Sequence, residues 1–85
     1  MTLPTPEFGK YYTALVDVTF PDGHVIRCRI NVDGFDASYH RSWSEAVAAD
    51  RLRARSGWIR SEDGTESGDW GPGCRVRVVE VTEQR

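Results

Sequence analysis

The sequence predicts an α+β fold, a small antiparallel sheet with one helix packed on one face. Three observations carry this. Two alternating runs flank the turn triplet Pro21-Asp22-Gly23, an alanine-rich stretch opens on the spacing Ser42-x-x-Glu45, and a valine-arginine alternation closes the chain. Hairpin, then helix, then strand is the order of a sheet with a helix laid across it. A five-stranded OB-like barrel places its helix at the same point and is the rival architecture.

Residues 1–9 hold Pro4, Pro6 and Gly9 without periodicity and are expected to form an extended, mobile tail. From Tyr11 the chain alternates. Tyr12, Ala14, Val16, Val18 and Phe20 fall on one side, Tyr11, Thr13, Leu15, Asp17 and Thr19 on the other. Leu15 and Tyr11 imply that the second face is partly covered. Pro presets the first turn position and Gly takes a left-handed one, so Pro21-Asp22-Gly23 reads as a three-residue hairpin loop. The return strand sets Ile26, Cys28, Ile30 and Val32 against Val25, Arg27, Arg29 and Asn31, one face apolar and one solvated.

Asp33-Gly34 is a second turn signal, and a short third strand over 35–39 is expected from the alternation of Phe35, Ala37 and Tyr39. Ser42 and Glu45 form a capping box, giving a helix of about 43–56 anchored on its Trp43 side and stopped by a left-handed Gly57. Trp43 and Trp58 are read as core. Residues 58–61 form a short strand, and 62–73, with four acids, four glycines and no base, read as a surface loop. The last strand, about 74–82, changes phase at Val78-Val79, where a β-bulge restores a single face. Residues 83–85 are expected to fray. One domain over 10–82 follows from the length of 85 residues.

Hydrophobic residues make up 39% and charged residues 28%, which fits a globule rather than a disordered chain. No apolar run is long enough to span a bilayer, and the first residues lack the charged-then-apolar order of an export signal. A cytoplasmic location with reduced thiols is therefore expected, host cytoplasm if phage-encoded. Ten of eleven basic residues are Arg. That usage marks a GC-rich genome and points to such a bacterium or its bacteriophage.

His24, His40, Cys28 and Cys74 are zinc-type residues without paired spacing, and both cysteines fall on inward strand positions. No metal or other cofactor is expected. Neither histidine has an evident catalytic partner, and turn chemistry accounts for Asp33 beside Asp36, so no enzyme is expected. The segment Arg29-Ile30-Asn31-Val32-Asp33-Gly34-Phe35-Asp36-Ala37, followed by an alanine-spaced helix, resembles the staphylococcal-nuclease family, whose fold is a barrel. Ser38 and Tyr39 stand where that family has Pro and its catalytic Glu, and Asn31 where it has the catalytic Arg. The resemblance therefore implies architecture and not activity.

Two surfaces remain. A protein partner is expected to meet exposed loop and strand surfaces, with Trp70, Asp69, Glu66 and Asp63 of the acidic loop and the arginine-bearing strand face as candidate contacts. Trp70 either folds back as a lid on the core or stands exposed, as Trp does at binding hot spots. Alternatively Arg27, Arg29, Arg51, Arg55, Arg75 and Arg77 bind nucleic acid. Seven arginines against four acids between His24 and Arg60 give a local excess of +3, although the net charge is −2. A free sheet edge also offers a route to a homodimer.

Overall fold

A computed structural model describes residues 3–54 and 56–84. The elements, in chain order, are β1 (Tyr11–Thr19), β2 (Val25–Asp33), α1 (Gly34–Ser38), α2 (Trp43–Arg53), β3 (Trp58–Arg60), β4 (Ser67–Asp69) and β5 (Arg75–Glu83). β2, β1 and β5 form an antiparallel sheet in that order, and β3 and β4 form a separate two-stranded ribbon. The sheet is open at β2 and β5, so the barrel, and with it the nuclease-like architecture, is not what this chain builds.

The hairpin follows from its turn. Phe20 N–H donates to the His24 carbonyl at 2.8 Å and Gly23, at φ +91°, donates to the Phe20 carbonyl at 2.9 Å. The resulting register sets Ala14 opposite Ile30, Val16 opposite Cys28 and Val18 opposite Ile26, all buried. On β5 the ladder runs Leu15 opposite Glu80 and Val16 opposite Val78, so Val79 is the extra, bulged residue. The bulge keeps Val76, Val78 and Val81 packed against one core despite the change of phase. Leu15 is buried on the opposite face, but Tyr11 is not.

α2 starts where Ser42 accepts from Glu45 N–H at 3.2 Å, while the Glu45 carboxylate accepts from Arg41 N–H at 2.9 Å. It lays Trp43, Ala46 and Val47 on the sheet and leaves Leu52 exposed. The helix stops at Arg53 with Ala54 as its cap, not at Gly57. Gly57 is not left-handed. It is small because the Trp70 backbone passes over it, and a Cβ there would collide with the Trp70 carbonyl oxygen.

Five other expectations change. Residues 34–38 are helical rather than a third strand, because the Asp33 carboxylate accepts from Phe35 N–H at 2.8 Å and caps a helix instead of closing a turn. The 62–73 stretch is only partly loop: Ser67–Asp69 folds back as β4, with Gly68 opposite Ile59. Trp58, expected in the core, is exposed instead, because the alternation of β3 turns Ile59 inward and its neighbours outward. Glu83 ends β5, and Gln84 N–H donates to the Tyr11 carbonyl at 2.8 Å, so the ladder takes in two of the three residues expected to fray; the third, Arg85, lies outside the described residues. Finally, residues 3–10 form a fastened strap rather than a loose tail. Leu3 packs on the core, Trp43 Nε1–H donates to the Pro4 carbonyl at 2.7 Å and Glu7 N–H to the Tyr12 hydroxyl at 3.1 Å.

Candidate functional site

The strap and α1 together build an aromatic surface. Helical geometry turns residues four apart to the same side, so Phe35 and Tyr39 lie together while Ala37 points inward and is buried. Their rings meet edge-to-face with centroids 5.1 Å apart. The strap brings Phe8 alongside. Lys10 N–H donates to the Glu7 carbonyl at 3.2 Å, closing a turn in which Gly9 adopts φ +86°. Phe8 thereby rests edge-to-face on Phe35, with centroids 5.1 Å apart. Tyr11 borders the same shallow depression with Phe8, Asp33 and Phe35. The four rings remain exposed, Phe8 at 78%, Tyr11 at 57%, Phe35 at 40% and Tyr39 at 74%. An apolar patch of this kind is unusual on a surface that has no use for it.

Charges around the patch are internally paired. Lys10 reaches Glu7 at 2.8 Å and Glu83 at 3.3 Å, and these carboxylates, Glu7 foremost, hold its ammonium above the usual lysine value. Arg53 reaches Asp36 at 3.2 Å, and Asp33 is engaged as the cap of α1.

The residues expected at the acidic loop lie apart from this patch and divide between two places. Asp63 and Glu66 border a depression with Val25, Arg27 and Glu62, whereas Trp70 lies with Leu52 and Cys74. Asp63 accepts from Ser61 and Thr65 hydroxyls, both at 2.7 Å, and from Thr65 N–H at 3.0 Å. Those bonds, the Thr65 pair foremost, lower its carboxyl to about 2. Glu66 meets the His24 ring at 3.2 Å. Asp69 is exposed at the end of β4. Trp70 is half-buried, packs against the core and donates its N–H to the Gly57 carbonyl at 2.6 Å.

Arg27, Arg29, Arg75 and Arg77 do share the outer sheet face, but acids sit among them. Asp17 accepts from Arg27 Nε at 2.7 Å and Nη2 at 2.9 Å, and lies 3.6 Å from Arg77. The Arg27 guanidinium holds the Asp17 carboxyl below its usual range, and Asp17 in turn raises Arg27. Arg29 donates to Glu62 at 2.7 Å. Arg51 is on α2, half-buried and 3.1 Å from Asp50, and does not join the others. Arg55 lies outside the described residues. Arg75 is exposed, with no carboxylate partner among the described residues.

Cys28 is buried in β2, and burial pushes its thiol up; Cys74 is half-buried before β5, and both are free. Among the described residues no three His, Cys, Asp or Glu side chains gather as a metal site, and no helix is long and apolar enough to cross a membrane.

No protein-family model, curated protein or solved structure matches this chain.

The aromatic patch was not legible from sequence spacing. Phe8 sits in a Pro- and Gly-containing stretch, and the strand reading put Phe35, Ala37 and Tyr39 on one face. The available signal was Asp33 itself, which caps a helix as readily as it opens a turn.

Proposed function

We propose that this chain is a non-enzymatic protein-interaction module that docks a partner on the Phe8–Phe35–Tyr39 surface, with Tyr11 at its border. The reading rests on one observation: three exposed rings packed in series, Phe35 between Phe8 and Tyr39, held out by a strap and a short helix. Aromatic side chains give large contact area at low entropic cost, which is why they anchor interfaces. The fitting partner is a protein offering an apolar or aromatic anchor; the paired charges of the rim add little attraction.

Nucleic-acid binding has less support. A phosphate would have to compete with Asp17 and Glu62 for Arg27, Arg29 and Arg77. The acidic loop retains a place only as secondary contact, since Trp70 already packs on the core.

The test compares proteins captured from lysate by the wild type and by a Phe8→Ser/Tyr39→Ser variant, with and without nuclease. The expected result is a nuclease-resistant partner lost in the variant, whose melting stays close to wild type because both rings are exposed. An unchanged captured set, or one released by nuclease, overturns the reading.

A further inference from the structure

β5 has one hydrogen-bonded neighbour, β1, and among the described residues its other edge is unpaired over nine residues. β2 is treated differently at its outer edge, where Glu62 N–H donates to the Arg27 carbonyl at 2.8 Å. Proteins blunt long free edges with lysine, proline or short strands, because such an edge templates another strand. β5 is long, carries neither lysine nor proline and is rich in valine. Its protection is limited to the single bulge at Val79 and to charges of both signs, which a second copy can pair.

Its charges are segregated. Arg75 and Arg77 occupy the first half, Glu80 and Glu83 the second. Val76, Val78 and Val81 face the core, while the register with β1 puts Arg75, Arg77, Glu80 and Thr82 on the outer face.

We propose that β5 pairs antiparallel with β5 of a second copy, about a two-fold axis between Val78 and Val79. In that register Arg77 of each copy lies opposite Glu80 of the other, Arg75 opposite Thr82 and Val76 opposite Val81. Core-facing residues meet core-facing residues, and outer meet outer. Moving the register by one residue sets Arg77 against Val81 and breaks both matches. Both strands carry their extra residue at Val79, so the span from Arg77 to Glu80 is equal on each side of the axis. The interface is isologous, as a closed dimer requires, and gives one six-stranded sheet. It is independent of the aromatic patch.

Sedimentation equilibrium from micromolar to millimolar protein tests this. The wild type is expected to dimerise. Glu80→Lys and Arg77→Glu each place like charges opposite one another twice per dimer and weaken it at least about tenfold. An equimolar mixture of the two variants restores the opposite-charge pairs and recovers the dimer. A wild type that stays monomeric, a dimer that withstands both reversals, or a mixture no tighter than its components overturns the proposal. Because Arg77 also neighbours Asp17, hydrogen exchange on the wild type gives a reading that needs no variant. β5 amides slow as concentration rises if the pairing exists, and exchange at one rate throughout if it does not.

Discussion

Replacing Gly34 by alanine tests whether the strap is seated as described. Gly34 is the first residue of α1, and its N–H donates to the Lys10 carbonyl at 2.8 Å. A methyl group there would overlap the Glu7 carbonyl oxygen, stand 2.6 Å from that of Lys10 and touch the Tyr12 ring at 3.0 Å. Two of these neighbours are backbone atoms, so the strap itself must move. Displacing it loses the Gly34–Lys10 and Glu7–Tyr12 bonds and disturbs the turn under Phe8, at about 1 kcal/mol net per hydrogen bond. Against about 3 kcal/mol of loss stands the helix preference of Ala over Gly, worth at most about 1 kcal/mol. The balance is destabilisation of about 2 kcal/mol, or roughly 8–16 °C in melting temperature for a domain of this size. Thermal and urea denaturation followed by circular dichroism measure it. Gly34 has no left-handed strain to relieve. An unchanged or raised melting temperature therefore means that the strap does not pass over α1, and the placement of Phe8 falls with it.

Three further outcomes are expected. Ser42→Ala removes the acceptor for Glu45 N–H and lowers stability by about 1 kcal/mol, seen as a shifted urea midpoint with unchanged slope. Asp17 and Asp63 have folded-state values below their unfolded ones, so their stabilisation is complete above the unfolded carboxylate range and is lost as pH falls through the folded values. Stability should thus decline between about pH 4 and pH 2, and Asp63→Asn should flatten the lower part of that fall. With a thiol reagent under native conditions Cys74 should react first and Cys28 only at the rate of unfolding, since Cys28 is buried with its thiol raised; equal rates by mass spectrometry would contradict this.

The elements legible in the sequence are those whose local chemistry admits one solution. Pro21-Asp22-Gly23 fixes loop length, and a period of two then fixes the whole β1–β2 register. The phase change at Val78-Val79 has one economical resolution, a bulge, and Val79 is that bulge. Ser42 with Glu45 marks the start of α2. Illegible elements have two local solutions decided by tertiary contacts. Asp33-Gly34 suits a turn or a cap, and the choice reverses the neighbouring side chains. In a strand residues 35, 37 and 39 share a face, whereas in a helix residue 37 lies about 200° from 35, and 39 returns beside it. Ala37 therefore enters the core, and Phe35 and Tyr39 become the surface. β4 is not legible because Ser67-Gly68-Asp69 has no strand propensity; Gly68 leaves room for the Phe20 ring, whose tip stands 2.9 Å from where a Cβ would be. The strap was hidden because what fastens it, the Trp43 indole and the Tyr12 hydroxyl, lies far along the chain.

Hydrogen exchange on the partner-bound protein against the free protein addresses the docking surface most directly. The account predicts the largest slowing of exchange at residues 7–11 and 33–39, with at most a minor change over 62–73. Slowing centred on 62–73 around Trp70, or on the arginine-bearing face of β1 and β2 with residues 7–11 and 33–39 unaffected, would contradict it.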